Sequence, residues 1–171
     1  MNQVRLDPQD DGGIDLPGKA GGSVHLPQIR VRLWVRLAGD PFLRQAVLDT
    51  GATACIVSHE IWRPFEKNGL IEWISHPPEQ STPEVLPRIG LLHRWFPYRL
   101  GMIDLQIEDI EGHSLKSSRV PVICTERDQS NAEPLPRVLL VGLADVLNGR
   151  TLSLSSSADG KTWTGTLSET P

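Results

Sequence analysis

The stretch Arg44-Gln45-Ala46-Val47-Leu48-Asp49-Thr50-Gly51-Ala52-Thr53-Ala54-Cys55-Ile56-Val57 decides the reading of this chain. An apolar strand, Ala46 to Leu48, runs into a carboxylate, a small hydroxyl residue and a glycine. Small residues follow, and then a second apolar strand, Ala54 to Val57. Hydrolysing a peptide with carboxylates alone takes two of them. One, ionised, draws a proton from the attacking water. The other, protonated, hydrogen-bonds the carbonyl oxygen and then helps protonate the leaving amine. They must stand close enough to share one proton. A loop that holds such a group needs a sharp turn, which Gly51 permits, and an anchor, which the Thr50 hydroxyl can supply by bonding across to a facing loop. No second Asp-Thr-Gly or Asp-Ser-Gly occurs in the 171 residues, so a second carboxylate would have to come from a second copy.

Upstream, Ile29, Val31, Leu33, Val35 and Leu37 alternate with Arg30, Arg32, Trp34 and Arg36. This is the clearest period-two pattern in the chain and predicts a half-buried strand. Ala38-Gly39-Asp40-Pro41 is turn chemistry, so a hairpin leads into Asp49. Residues 1–24, with Asp7, Asp10, Asp11 and several glycines, are expected to be a disordered tail. Residues 25–171 form the predicted domain. Downstream, Ser58 can cap a helix reaching about Phe65, and the proline-rich 72–88 is expected to be irregular. Ile103, Leu105 and Ile107 alternate with polar residues. Val120 to Cys124 and Val138 to Val141 are apolar strands, separated by a polar loop over 126–136. Ala144 to Asn148 predicts one or two helical turns with Gly149 after them. Thr151 to Ser155 and Lys161 to Leu167 flank Ala158-Asp159-Gly160 as a last hairpin. The sum is a mostly β chain of about eight short strands with one or two short helices.

Composition narrows the function. A net charge of −4 disfavours nucleic acid as a partner. No apolar run approaches the ~18 residues of a membrane helix. The N-terminus lacks the apolar core of a signal peptide, and Cys55 and Cys124 make no disulfide framework, so a cytoplasmic location is expected. His59-Glu60 is followed by Arg63 where a zinc helix needs its second histidine. No phosphate-binding glycine loop occurs, and neither metal nor cofactor is expected. Arg30, Arg32 and Arg36 read as a solvated basic face.

Val47-Leu48-Asp49-Thr50-Gly51-Ala52-Thr53 resembles the catalytic loop of the retropepsin-like aspartic proteases. Val138-Leu139-Leu140-Val141-Gly142-Leu143-Ala144-Asp145-Val146-Leu147 resembles that family's second signature, an apolar strand, a glycine and a short helix. The resemblance covers about residues 28–167. It implies a closed β-barrel of the acid-protease type and a homodimer with one Asp per subunit. It also implies a β-hairpin flap over a cleft that binds a polypeptide substrate. On this resemblance Asp49 is the catalytic carboxylate and Thr50, Gly51 and Ala52 support its loop. Val141 and Gly142 pack on that loop, and Ile89, Gly90 and Trp95 belong to the flap and cleft. Two departures stand out: one extra residue between Gly142 and Asp145, and no glycine-rich tip in the flap segment. Ala52 stands where pepsin-like loops carry a hydroxyl, so an activity optimum of about pH 5 to 7 is expected. The alternative function is a non-catalytic domain that keeps the scaffold for peptide binding or dimerisation.

Overall fold

In the computed structural model, which describes residues 2–12, 14–17, 22–26, 28–49, 52, 54–91, 94–127, 137–160 and 162–170, strands dominate. The chain runs β1 (Gln3–Asp10), β2 (Ile14–Pro17), β3 (Ser23–Leu26), β4 (Ile29–Leu37), β5 (Arg44–Asp49), β6 (Cys55–Val57) and α1 (His59–Lys67). It continues through β7 (Glu72–Ser75), a single 3-10 turn (Pro83–Val85), β8 (Arg88–Leu91), β9 (Arg94–Glu108) and β10 (Ser118–Thr125). It ends with β11 (Leu139–Gly142), α2 (Leu143–Val146), β12 (Arg150–Ser156) and β13 (Trp163–Glu169).

The alternation in β4 puts Val31, Leu33, Val35 and Leu37 in the core and leaves Arg30, Arg32 and Arg36 on the outer face. Around β4 the sheet closes. Strands β4, β5, β11, β6, β10 and β9 pair in that order, and β9 returns to β4. Closure is possible because β4 divides one edge between two partners. Its first half pairs with β1 (Asp7↔Arg32 to Asp10↔Ile29) and its second half with β9 (Trp34↔Glu108 to Leu37↔Leu105). The expected mostly β, closed-barrel architecture is what the chain adopts. Inside lie Leu33, Val35, Ala46, Val57, Ile103, Leu105, Val122, Cys124 and Val141. α1 adds Ile61, Trp62 and Phe65, each at most 6% exposed. Such side chains contribute about 1.5–3 kcal/mol apiece. The buried Trp62 indole donates its Nε1–H to the Thr125 carbonyl at 2.8 Å, so its one polar atom is satisfied.

The stretch 1–24, expected to be a disordered tail, instead contains β1, β2 and the start of β3. β1 pairs with β13 on one side and β4 on the other, and Val4 and Leu6 are buried. With only two apolar positions, β1 carries little local signal. Its stabilisation comes from ladders on both edges, to strands far away in sequence. β2 and β3 form a separate two-stranded sheet. The 72–88 segment holds β7 and the 3-10 turn rather than being wholly irregular. The alternation expected at Ile103 to Ile107 belongs to a longer strand, β9, which begins beside the flap residue Trp95 and passes Pro97 and Gly101 without a break. α1 extends to Lys67, and α2 begins at Leu143. Much of the expected polar loop, 128–136, lies outside the described residues.

Candidate active site

Asp49 is the last residue of β5. β11 is threaded between β5 and β6, the two strands that the Asp49-Thr50-Gly51 loop connects. It runs parallel to β5 (Leu140↔Val47, Val141↔Leu48, Gly142↔Asp49) and antiparallel to β6 (Leu139↔Val57, Leu140↔Ile56). The register therefore seats Gly142 directly beside Asp49. A Cβ on Gly142 would lie 3.0 Å from the Ala52 carbonyl oxygen and 3.0 Å from the Ala54 carbonyl carbon and oxygen. These are backbone atoms with no flexible end to move aside. The glycine is what allows β11 to come this close to the loop. Ala52 closes the turn, its N–H reaching the Asp49 carbonyl at 3.4 Å. Val141, on the inner side, is fully buried. Thr50 and Gly51 lie outside the described residues.

Half-buried Asp49 lines a groove of about 420 Å³ together with Arg30, Val31, Val47, Leu48, Leu140, Leu152 and Leu154. The walls set aliphatic side chains, with the polar Gln28 and Arg30, around the carboxylate. Leu140, Leu152 and Leu154 escaped the sequence reading because they reach the groove from β11 and β12, remote from Asp49 along the chain. The alternation of Leu152 and Leu154 was the available signal.

Ile89, Gly90 and Trp95 belong to a true β-hairpin, with β8 paired to the start of β9 (Arg88↔Pro97 to Leu91↔Arg94). Trp95 is 66% exposed whereas Phe96 is fully buried, so the one faces solvent and the other anchors the hairpin. The Trp95 ring lies over Gly90, 3.9 Å from where a Cβ would be. These three residues do not line the Asp49 groove. The structure joins Asp49, Ala52, Val141 and Gly142 in one unit and leaves the hairpin apart from it.

Among the described residues, cavities of comparable size lie elsewhere, so the choice of the Asp49 groove rests on chemistry. One, of about 480 Å³, lies along α1 between His59, Arg63, Lys67 and Arg127. Burial lowers the pKa of His59 there, although Glu126 stands 3.8 Å away, and its ring packs edge-on against Trp62. Another, of about 460 Å³, borders Arg5, Asp109, Glu111 and His113. Ligand atoms of Asp109, Glu111 and His113 lie within 4.8 Å of one another. Asp109, however, already accepts the N–H groups of Glu111 and His113 at 2.9 Å each, Arg5 N–H at 3.2 Å and His113 Nδ1 at 3.0 Å. Glu111 pairs with the Arg5 guanidinium. This cluster is a clamp between β1 and the β9–β10 turn. A further polar anchor missed from sequence is the buried Arg99. It bonds Glu126, the His76 carbonyl and the Ser81 hydroxyl, and so fastens the proline-rich segment to the barrel.

No known protein family and no curated protein matches the sequence. Among solved structures the chain is similar to a retropepsin-like aspartic protease from Rickettsia conorii. The TM-score is 0.42 and the identity 10%, over 95% of this chain and 91% of that one. A likeness this slight says nothing about chemistry. Among the described residues no helix is long and apolar enough to cross a membrane.

Proposed function

We propose that this chain is one protomer of a retropepsin-like aspartic endopeptidase. In this reading Asp49 of two copies forms the dyad that activates water. The observation that carries it is the seating of Gly142 against the loop that begins at Asp49, by a strand threaded between the two strands the loop connects. A lone Asp-Thr-Gly is a weak signal. One held from behind by a second apolar strand, at a glycine whose Cβ would meet the loop backbone at 3.0 Å, is a loop built to hold a carboxylate still. Thr50 would lock the two loops across a two-fold axis and Gly51 would make the turn. An extended polypeptide would lie along the groove with aliphatic side chains against Val47 and Leu140. No cofactor enters the chemistry.

The separation of the β8–β9 hairpin from the groove lining favours a second reading, a peptide-binding or dimerisation domain without catalysis. Cleavage of a peptide library, with Asp49→Asn as the control, separates the two. The proteolytic reading requires cleavage by the wild type and its loss in the variant. Equal cleavage by both removes Asp49 from the chemistry, and binding without cleavage by either leaves the second reading.

A further inference from the structure

Along α1 the basic residues fall in one row. His59, Arg63 and Lys67 are four apart, so each stands about one turn beyond the last on a single side of the helix. A helix face that only meets water usually sets an acid four residues from each base. No acid interrupts this row, and Glu60 and Glu66 flank it instead.

Arg127, two residues past the end of β10, is brought to the same place. The chain there is fixed. The Glu126 N–H bonds the Pro97 carbonyl at 2.8 Å, and the Glu126 carboxylate bonds the buried Arg99 guanidinium. The Arg127 guanidinium meets Glu60 Oε1 through Nε at 2.8 Å and through a terminal nitrogen at 2.7 Å. Arg63 pairs with Glu66 at 2.9 Å. Lys67 has no ion pair among the described residues. Together with Pro64, the row, Glu60 and Arg127 wall the cavity of about 480 Å³. The wall thus holds three cations and one carboxylate, in a chain whose net charge is −4. Cations gathered in this way repel one another, and an anion between them offsets that cost. Each guanidinium has five N–H donors, more than its acid takes up.

We propose that this cavity binds a small phosphomonoester, its phosphate held by Arg63, Lys67 and Arg127 and its organic part against Pro64 and the His59 ring. A phosphomonoester carries close to two negative charges at neutral pH and three strong acceptor oxygens. That matches one unpaired ammonium and the remaining donors of two guanidinium groups. A monocarboxylate brings one charge and two oxygens and satisfies fewer of them. The volume lies within the range of small-molecule sites and leaves room for an organic group. The wall shares no residue with the Asp49 groove, so the site stands or falls independently of the proteolytic reading.

Isothermal titration of the full chain at low salt with phenyl phosphate, and with benzoate for comparison, tests this. The expected result is that phenyl phosphate binds at least about tenfold more tightly than benzoate. Lys67→Gln and Arg127→Gln should each weaken phenyl phosphate by about tenfold. Arg119→Gln removes the same charge from the other end of β10 and should change the affinity by less than about twofold. No binding by the wild type overturns the proposal. So does equal affinity for benzoate, and so does equal weakening by all three substitutions, which would reduce the effect to net charge. Lys67 is exposed and unpaired, so its variant decides the matter even if Arg127→Gln fails to fold. The His59 ring gives an independent readout. Burial, with help from Arg127 and Arg63, holds its pKa below the ordinary value against the pull of Glu126 and Glu60. A dianion beside it favours the imidazolium. The NMR titration midpoint of His59, assigned with His59→Gln, should therefore rise when phenyl phosphate is bound. A midpoint that stays put while phenyl phosphate binds puts the ligand elsewhere and overturns the site.

Discussion

Asp49 ends β5 and Asp109 follows β9, yet the two carboxylates stand in opposite surroundings. Asp109 is 2% exposed, and its own chain supplies four donors to its two oxygens. Asp49 lines an open groove whose walls are mostly aliphatic, with Gln28 and Arg30 among them. A carboxylate enclosed by its own backbone is committed to holding the fold. A carboxylate on a groove, braced from behind by a glycine contact, keeps room for a reacting partner. The difference lies in enclosure, one carboxylate shut in by four donors and the other set on a groove wall, and it can be tested at each site.

The largest expected effect is at Asp49. Asp49→Asn should lower peptide cleavage by about a thousandfold or more while the thermal midpoint stays within a few degrees, as measured by turnover and calorimetry. A large loss of stability would make Asp49 a second Asp109. Gly142→Ala tests the brace. The added methyl meets backbone at 3.0 Å, so the variant should lose roughly 1–3 kcal/mol of stability and most of its activity together. Denaturant unfolding and cleavage rates measure the two, and an active, fully stable variant would show that the loop is not held by this contact.

Asp109→Ala should have the reverse signature of Asp49→Asn. It strands backbone N–H groups of Arg5, Glu111 and His113, at a cost of about 2–4 kcal/mol in urea unfolding, with activity retained wherever the protein is folded. Burial pushes the Asp109 carboxyl upward. The N–H groups of Arg5, His113 and Glu111, with the His113 ring, outweigh it and hold the group below its ordinary value of 3.8. The folded state therefore binds this proton more weakly than the unfolded chain. The stabilisation is complete above the ordinary carboxylate range and is lost as pH falls through the lowered folded value. Unfolding midpoints followed from pH 6 downward should show this acid loss in the wild type and a shallower one in Asp109→Ala. The smallest effect belongs to His113→Ala, which removes one of the four donors while the backbone N–H remains. A cost of about 0.5–1.5 kcal/mol is expected in the same assay. A cost equal to that of Asp109→Ala would mean that the ring, not the backbone, carries the clamp.

The two sites also differ in how far they could be read from sequence. The Asp49 loop and β4 announce themselves because their signals are local: a tripeptide between apolar strands, and a five-fold alternation. The packing of Val141 and Gly142 on the loop follows only from the resemblance, since they lie more than ninety residues away, and the threading of β11 between β5 and β6 leaves no local signal. β1 looks like tail in sequence because Val4 and Leu6 alone make a weak pattern, and its two ladders are tertiary. The Asp109 clamp was invisible because its donors are mainly backbone N–H groups, which leave no trace in residue types. Leu140, Leu152 and Leu154 reach the groove from separate strands, so no window of sequence contains the site.

The central claim is that each chain carries half of one active site. Wild-type and Asp49→Asn chains are mixed in equal amounts at fixed total concentration, allowed to exchange subunits, and assayed for peptide cleavage. Random pairing leaves two intact Asp49 residues in only about a quarter of the dimers, so activity should fall to about a quarter of the all-wild-type value. A fall to only about half would mean that each chain works alone and would contradict the shared dyad.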